Sequence, residues 1–206
     1  PSIQYIAVMN PDVRVEDPGI FNAMLSDFDD DTIGVVAPLM VENGRVQERS
    51  GWMLPTKAQR IFANTPLNAF FRSLKPQMQG DLRIVDAIHG SFFIVSRKVF
   101  SKTPLFDDNI FLYGEESVLA FKVKSLRLKE AIDTRYQYVH EHNYAVENRE
   151  ASICKGKTIY QSVKYLLRVY YKCTFFDRLL YVLFQGTYAY VYLPLLFKIK
   201  KTVSKW

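Results

Sequence analysis

An apolar run that stops at a polar turn near the start of the chain constrains the fold most. Residues Ile3 to Met9 read Ile-Gln-Tyr-Ile-Ala-Val-Met, and Asn10-Pro11-Asp12 follows directly. A near-continuous apolar run of this length is typical of a buried parallel strand, and Asn-Pro ends it. Because the ring of Pro11 fixes its own φ angle, it stiffens the turn and fixes the direction in which Asp12 leaves the strand. The pattern predicts a carboxylate at the end of a strand.

The segments that follow alternate between helical and strand patterns, which predicts an α/β fold. Asn43-Gly44 is a strong hairpin signal, and Gly90 inside a strand pattern indicates a bulge or a close backbone approach. Residues 50 to 80 have no clean period and predict an excursion loop with a short helical piece around Leu67 to Leu74. The other predicted elements are a helix from Pro18 to Phe28, strands over Ile33–Leu39, Arg83–Val95 and Ala131–His140, and helices over Glu116–Leu126 and from Thr158 onward.

Composition indicates one main domain with a basic tail. The 206 residues include 49% hydrophobic residues, enough for a substantial core. Residues 1–150 carry 17 Lys and Arg against 20 Asp and Glu, whereas residues 151–206 carry 10 against 1. Cys154 and Cys173 have neither zinc-like nor Cys-x-x-Cys spacing, which favours a reducing compartment without disulfides. The first residues resemble a strand, so we expect no signal peptide.

Three kinds of side chain are candidates for chemistry. Asp12 is a candidate ligand for Mg²⁺ or Mn²⁺, which prefer oxygen donors, although Asn-Pro-Asp is also an ordinary solvated turn. Glu115 and Glu116 open a helix after Gly114, and an ionised glutamate there suits a general base, although acids at this position also simply complement the helix dipole. His140 ends a strand and is in reach of a metal or a diphosphate, with a surface or core histidine as the alternative.

The tail contains an uncharged run of 19 residues, Leu179 to Phe197, between Arg178 and Lys198. This nominally reaches transmembrane length, but its tyrosines, Gln185, Gly186 and Pro194 favour an interfacial helix on an anionic cytoplasmic leaflet. Packing against the rest of the protein and crossing the membrane are the alternatives. The cations are interleaved with apolar residues and no nucleic-acid motif is present, so we expect no nucleic-acid partner.

Five blocks of sequence, taken together and in order, carry a family resemblance. They are Tyr5-Ile-Ala-Val-Met-Asn-Pro-Asp-Val13, Ile33-Gly-Val-Val-Ala-Pro38 with Asn43-Gly-Arg-Val-Gln47, Val85-Asp-Ala-Ile-His-Gly-Ser-Phe-Phe-Ile-Val-Ser-Arg97, Leu105-Phe-Asp-Asp-Asn-Ile-Phe-Leu-Tyr-Gly-Glu-Glu116 and Val139-His-Glu-His142. The set resembles family 2 glycosyltransferases of the rhamnosyltransferase-like type. The resemblance covers roughly residues 3 to 143.

The resemblance implies a partial GT-A-like fold, with a mixed sheet flanked by helices and a C-terminal amphipathic, aromatic helical tail. It implies that residues 1–150 form the metal and acceptor part of the domain, while the composition of residues 151–206 predicts a basic, membrane-interfacial helical tail. By similarity, Asp12 and His140 lie at the metal and diphosphate, and Glu116 is the catalytic base. Substrate contacts are expected from Asp86, His89, Gly90 and Glu115.

Two departures from the family qualify this expectation. The family usually shows Glu-Asp-x-Asp-Leu where this chain has Glu115-Glu-Ser-Val-Leu119, so Val118 replaces the second acid. The chain also starts at the strand that should follow the family's nucleotide-binding half.

The resemblance as a whole implies an inverting, metal-dependent transferase. We expect it to move a sugar from a nucleotide-sugar donor to a saccharide or lipid-linked saccharide acceptor in cell-surface polysaccharide synthesis. The basic tail indicates a position peripheral to the inner face of the cell membrane. The alternative is an inactive or truncated, membrane-associated saccharide-binding module.

Overall fold

The computed structural model describes residues 2–110, 112–141 and 149–197. Phe111 of the sequence block Leu105 to Glu116, His142 and the lysines that follow Phe197 lie outside the described residues. The chain divides into two units, and the predicted division at residue 150 stays a prediction. The sheet unit holds the described residues of Pro1–Leu54, Leu74–Asp107 and Glu115–Asn143, and the helical unit those of Pro55–Ser73, Asp108–Gly114 and Tyr144–Trp206.

Strands and helices alternate along the described residues. The strands are β1 Tyr5–Met9, β2 Val13–Arg14, β3 Ile33–Glu42, β4 Arg45–Val46, β5 Gly51–Trp52, β6 Gln77–Gln79, β7 Leu82–Val85, β8 Ala87–Ile88, β9 Phe92–Ser96 and β10 Lys129–His140. The α-helices are α1 Gly19–Ser26, α2 Lys57–Ile61, α3 Arg97–Phe100, α4 Glu115–Ser125, α5 Arg149–Val169 and α6 Phe175–Tyr181. Single 3₁₀ turns cover Asp27–Asp29, Glu48–Ser50 and Pro66–Phe70.

The sheet unit is built on one mixed sheet with the strand order β1, β9, β3, β10, β7, β6. The two long strands β3 and β10 are parallel, whereas β1 with β9, β9 with β3, and β10 with β7 are antiparallel. The short strand β2 pairs with the end of β10, and β4 pairs with the end of β3. Because β3 and β10 are parallel neighbours, their C-terminal residues meet at one edge of the sheet.

Helices cover both faces of this sheet. Side chains of β3 alternate between the faces, so that Val36 and Met40 pack in one buried cluster with residues of α1. Val35 and Ala37 point the other way and pack with residues of α3 and α4. The predicted α/β architecture, a mixed sheet flanked by helices, is confirmed.

The prediction that the first strand is buried and parallel is wrong. In the described residues β1 lies at the edge of the sheet and is antiparallel to β9. Its exposure alternates: Ile6 and Val8 are half-buried, while Tyr5 and Met9 are 41% and 52% exposed. The sequence run is apolar on both faces, but α3 and α4 cover only one of them. The prediction failed because burial depends on distant elements that the run itself does not encode.

Predictions from short sequence motifs agree more closely with the structure. Asn43 and Gly44 have φ angles of 51° and 71° and join β3 to β4, as the hairpin prediction required. The predicted excursion loop over residues 50–80 is wrong in part, because it contains two short strands and α2. Thr56 and Gln59 form a reciprocal capping box at the start of α2, a signal that the sequence prediction overlooked. The helical piece predicted near Leu67 is the 3₁₀ turn Pro66–Phe70.

The helical unit has its own core where α2, α5 and α6 meet, around Ile61, Tyr160, Leu167 and Tyr181. After α6 the helix continues through π-helical turns at Val182–Gly186 and Tyr188–Tyr192. The continuous helix Phe175–Phe197 has 23 residues, a mean hydropathy of 1.4 and only 17% of its most apolar window buried. Within the described residues it is the one helix long and apolar enough to cross a membrane, which by itself is weak evidence for a span.

Candidate functional site

Asp12 and His140 are neighbours at the C-terminal edge of the sheet. The Asn10 amide donates to the Ser91 carbonyl oxygen at 2.8 Å, and Val13 of β2 then pairs with His140 of β10. This crossing from β1 to β10 brings Asp12 Oδ2 within 3.4 Å of His140 Nε2. Asp12 is half-buried and His140 is buried. The structure thus brings together the two side chains predicted as metal ligands, 128 residues apart in sequence.

Behind His140 lies a buried carboxylate that sequence reasoning missed. Glu42, at the end of β3, places Oε1 at 2.9 Å from His140 Nδ1, and its other oxygen forms an ion pair with Arg49. The Glu42 side chain is only 5% exposed. The parallel pairing of β3 and β10 explains the contact, because the last residues of both strands reach the same edge. A glutamate that ends a long apolar strand is the sequence signal that could have found it.

This arrangement fixes the chemistry of the His140 ring. A carboxylate accepts hydrogen bonds, so Glu42 selects the form in which Nδ1 carries a proton. Nε2 then faces Asp12 Oδ2, and two lone-pair atoms in contact require a proton or a cation between them. Two ligands of one ion at about 2.1 Å and at right angles are about 3.0 Å apart, close to the observed separation. The pair therefore fits two positions of a Mg²⁺ or Mn²⁺ coordination shell.

The pair does not make a complete metal site. Within the residues that the structure describes, no group of three or more His, Cys, Asp or Glu side chains is arranged to hold a metal ion. Mg²⁺ sites in phosphate-handling enzymes commonly use one or two protein ligands and take the others from water and substrate phosphates. The described residues fit such a site and do not fit a structural metal cage.

His89 is the second histidine of this edge, and its hydrogen bonds define its tautomer. The Ser91 amide donates to His89 Nδ1 at 3.3 Å, and Ser91 Oγ lies 2.8 Å from the same nitrogen and 2.5 Å from Tyr138 Oη. Because a backbone amide only donates, Nδ1 is the acceptor and the ring proton is on Nε2. Burial, reinforced by His140, lowers the pKa of His89 to about 4, so the ring is neutral at physiological pH.

The next residue, Gly90, lies against the predicted base. A Cβ atom built on Gly90 would be 3.4 Å from Glu116 Oε1, so the carboxylate faces this backbone directly. Helix α4 begins one residue earlier, at Glu115, after Tyr113 and Gly114 with φ angles of 64° and 141°. These two left-handed residues turn the chain sharply into α4, and glycine adopts such angles without steric strain. Glu115 and Glu116 are both half-buried.

Asp86, which directly follows β7, forms hydrogen bonds and an ion pair within the protein. Its Oδ2 accepts the Leu54 amide at 3.0 Å, and its Oδ1 lies 3.2 Å from Lys124 Nζ. Both carboxylate oxygens are thus engaged with the protein, and the predicted contact of Asp86 with an acceptor stays a prediction.

Glu130 in β10 is another acid that the sequence analysis missed. It is 1% exposed, and its Oε2 accepts the Ile88 amide at 3.0 Å. Burial raises the pKa of Glu130 well above its ordinary value, and the charges of Asp86 and Glu116 raise it further. An acid inside an apolar strand was the available signal.

The loop His89–Ser91 connects these groups. The His89 ring lies 5.5 Å from the His140 ring, measured between centroids, and Gly90 lies against Glu116. His89 therefore faces His140 of the Asp12 and His140 pair, and the next residue, Gly90, faces Glu116 in the first turn of α4. The arrangement can hold an anion through a cation on one side and accept a proton on the other.

Comparisons with known proteins bear on the fold. No family model matches the sequence, and no curated protein matches it either. The structure is similar to a crystal structure of GalNAc-T7 with UDP, GalNAc and Mn²⁺, with a TM-score of 0.50 and 16% sequence identity. The match covers 79% of this chain and 31% of that one, so the chain spans about a third of the length of its structural neighbour.

At this identity the likeness shows the fold alone. The chain has the mixed α/β architecture of a GT-A glycosyltransferase, as the sequence predicted. The likeness does not distinguish family 2 from other glycosyltransferases of this fold. The roles of the individual site residues stay predictions.

Proposed function

We propose that this chain is the acceptor-side part of an inverting, metal-dependent glycosyltransferase of the family 2, rhamnosyltransferase-like type. It moves a sugar from a nucleotide-diphosphate donor to a saccharide or lipid-linked saccharide acceptor in cell-surface polysaccharide synthesis. The observation that carries the proposal is the loop His89–Ser91, which has the Asp12 and His140 pair near one residue and Glu116 against the next. The GT-A-like fold supports the same reading.

Glu116 is the general base in this proposal. The acceptor hydroxyl must lose its proton as its oxygen attacks the anomeric carbon of the donor sugar, while the bond to the diphosphate breaks. A hydroxyl bound beside Gly90 meets the Glu116 carboxylate, because glycine places no side chain between them. One carboxylate suffices for this single displacement, which inverts the anomeric configuration.

His89 orients the acceptor. Its Nδ1 is occupied by Ser91, which Tyr138 holds in turn, so the ring offers a fixed Nε2–H donor. Burial raises the pKa of Tyr138 to about 12, which keeps its hydroxyl protonated and able to donate to Ser91. A neutral, oriented donor next to Gly90 suits a hydrogen bond to a sugar hydroxyl.

Asp12 and His140 would hold the metal, with Mn²⁺ or Mg²⁺ neutralising the charge that develops on the leaving diphosphate. Glu42 orients the His140 ring, which would leave Nε2 unprotonated and able to bind a metal ion, and Arg49 compensates the buried Glu42 charge. The Mn²⁺ in the structural neighbour supports the choice of metal.

The helical unit supports a peripheral position on the inner face of the cell membrane. Its long helix exposes Phe175, Phe176 and Leu183, which are 75%, 64% and 59% exposed. The tail carries 10 cations against one acid. Apolar exposure with excess positive charge favours an anionic membrane surface over nucleic acid.

A second candidate function is a non-catalytic, membrane-associated saccharide-binding module. Val118, which stands where the family usually has a second acid, is fully buried in α4 and can supply no carboxylate. Under this alternative the same edge binds sugar without transferring it.

The experiment that tests the proposal compares Glu116→Gln with Glu150→Gln in the full-length protein, supplied with nucleotide sugars and membrane-derived acceptors. Glu150 is an exposed glutamate in the first turn of α5, so the control makes the same change at a similar position. Loss of a general base lowers turnover by about 10²- to 10⁴-fold. Unchanged turnover in Glu116→Gln would exclude Glu116 as the general base. If the wild type bound sugar but transferred none, the saccharide-binding module would be favoured.

A further inference from the structure

The helical unit contains a groove between α5 and the start of α6, with a volume of about 510 Å³. Lys164, Arg168 and Arg178 contribute three cations to its lining, and Phe175, Leu179 and Val182 contribute apolar surface. None of these side chains belongs to the proposed transfer site. A cavity that combines cations with apolar walls suits a ligand that has an anionic group and a hydrocarbon part.

The three cations have no ion-pair partner among the residues that the structure describes. In the part of the chain that the structure describes, none of them forms an ion pair with a carboxylate. Asp177 is the single acid after residue 150, and it is engaged in capping α6 and in an ion pair with Lys57 at 3.7 Å. Among the described residues, no acid balances the charge of the groove, which suits it to an anionic ligand.

Aromatic rings hold two of these cations in position. The Arg168 guanidinium lies 5.8 Å from the centre of the Tyr165 ring, and the Lys164 ammonium lies 6.0 Å from that of Tyr160. Arg178 Nε donates to the Thr174 carbonyl at 3.4 Å, which leaves its terminal nitrogens as donors. Cation–π contacts restrict a side chain without cancelling its charge, so these groups stay available to an anion.

The apolar half of the groove continues onto an exposed helix surface. Phe175, Leu179 and Val182 are 75%, 50% and 40% exposed, and they begin the helix Phe175–Phe197. Inorganic phosphate would gain nothing from this surface, and single-stranded nucleic acid is usually bound by cations that track a backbone. A phospholipid has both parts, because its phosphate lies where its acyl chains begin.

We propose that this groove binds the phosphate headgroup of an anionic phospholipid. Lys164, Arg168 and Arg178 surround the phosphate, and the apolar residues enter the upper part of the acyl layer. The helix then lies in the interface, with its charged end at the level of the headgroups. This inference rests on the membrane association in the proposed function and is independent of sugar transfer.

The test measures binding of the full chain to vesicles of phosphatidylcholine alone and of an equal mixture of phosphatidylcholine and phosphatidylglycerol. The groove variant is Lys164→Gln, Arg168→Gln, Arg178→Gln. The control variant, Arg72→Gln, Lys75→Gln, Lys102→Gln, removes the same charge at three exposed positions outside the groove. Circular dichroism verifies that both variants keep their helix content.

We expect the wild type and the control to bind the mixed vesicles well and the neutral vesicles weakly. The groove variant should bind the mixed vesicles about 100-fold more weakly, since each interfacial cation contributes about fivefold. Phe175→Ser with Leu179→Ser should weaken binding to both kinds of vesicle.

Four results would overturn the inference. Equal losses in the two triple variants would indicate general charge attraction without a groove. If the wild type bound neutral and mixed vesicles equally well, an anionic headgroup would not be required for binding. If the wild type did not bind vesicles but bound single-stranded RNA through the three cations, the groove would be a nucleic-acid site. An absence of any vesicle binding would reject the groove and the membrane association together, while sugar transfer would remain to be judged by Glu116→Gln.

Discussion

The two units treat their charged side chains in opposite ways. In the sheet unit, Asp12, His140, Glu42 and Arg49 form a continuous series of contacts, and the inner members are buried. In the helical unit, two of the three cations of the α5 and α6 groove contact aromatic rings, and none of the three has a carboxylate partner among the described residues. In our proposals, the first arrangement orients ligands for a cation, and the second leaves charge for an anion. The ligand that a charged cluster suits therefore depends on whether nearby side chains of opposite charge neutralise it.

The difference explains why the proposed anion sites have different requirements. Asp12 and Glu42 bring negative charge to their edge of the sheet, so in the proposed function a diphosphate would bind there through a metal ion. The groove is positive and needs no metal. The following predictions test this contrast, from the largest expected effect to the smallest.

The largest effect is expected from Asp12→Asn. An amide oxygen is a weaker ligand than a carboxylate, so we expect sugar transfer at limiting Mn²⁺ to fall by about 100-fold or more, with partial recovery at high Mn²⁺. The measurement is transfer rate against Mn²⁺ concentration. Asp29→Asn, which alters an exposed aspartate after α1, serves as the control and should leave the curve unchanged. A curve for Asp12→Asn that matches the control would exclude Asp12 as a ligand.

A smaller loss is expected from Glu42→Gln, because Glu42 acts on the metal only through His140. Removing such a supporting carboxylate lowers metal affinity by about 10- to 100-fold. The measurement is Mn²⁺ affinity by calorimetry, with turnover at saturating Mn²⁺ as the second readout. Affinity should fall while saturated turnover stays close to that of the wild type. Glu48→Gln, at an exposed position next to Arg49, is the control. Equal metal affinity in Glu42→Gln and wild type would contradict the role given to this residue.

The smallest effect is expected from Glu130→Gln, measured as the pH dependence of stability. The folded-state pKa of Glu130 is raised above its ordinary value of 4.5. Its contribution to stability is therefore fully present below about pH 4.5 and is lost as the pH rises through the folded-state pKa. Gln does not titrate and can still accept the Ile88 amide.

The stability of Glu130→Gln relative to wild type should thus rise with pH and become an advantage in mildly alkaline buffer. Urea unfolding at several pH values measures it. An advantage that shrinks as the pH rises would show that the buried acid is stabilised in its charged form.

Sequence reasoning was reliable where the signal is local. Asn43-Gly44 specified its turn by its own φ preferences, and the apolar spacing after Pro18 predicted α1, whose Ile20 and Met24 are fully buried. The environment of β1 was mispredicted because exposure depends on which elements cover each face. The capping box of α2 was readable and was overlooked.

The site followed the same rule. Asp12, His140, Gly90 and Glu116 were singled out as individual residues, and the structure supplies their proximity. The residues that support these groups were missed because their partners are distant in sequence. Glu42 contacts His140 across 98 positions, Ser91 contacts Tyr138 across 47, and Glu130 contacts Ile88 across 42. A single sequence does not encode such pairings locally. The parallel register of β3 and β10 is the fact that would have revealed Glu42.

The most direct measurement of the contrast uses one preparation and two anions. Inorganic pyrophosphate binding by calorimetry and binding to phosphatidylglycerol-containing vesicles are each measured with Mn²⁺ and with EDTA. We predict that pyrophosphate binds only with Mn²⁺ and that vesicle binding is the same in both buffers. Pyrophosphate binding that persists in EDTA, or vesicle binding that disappears in it, would contradict the account.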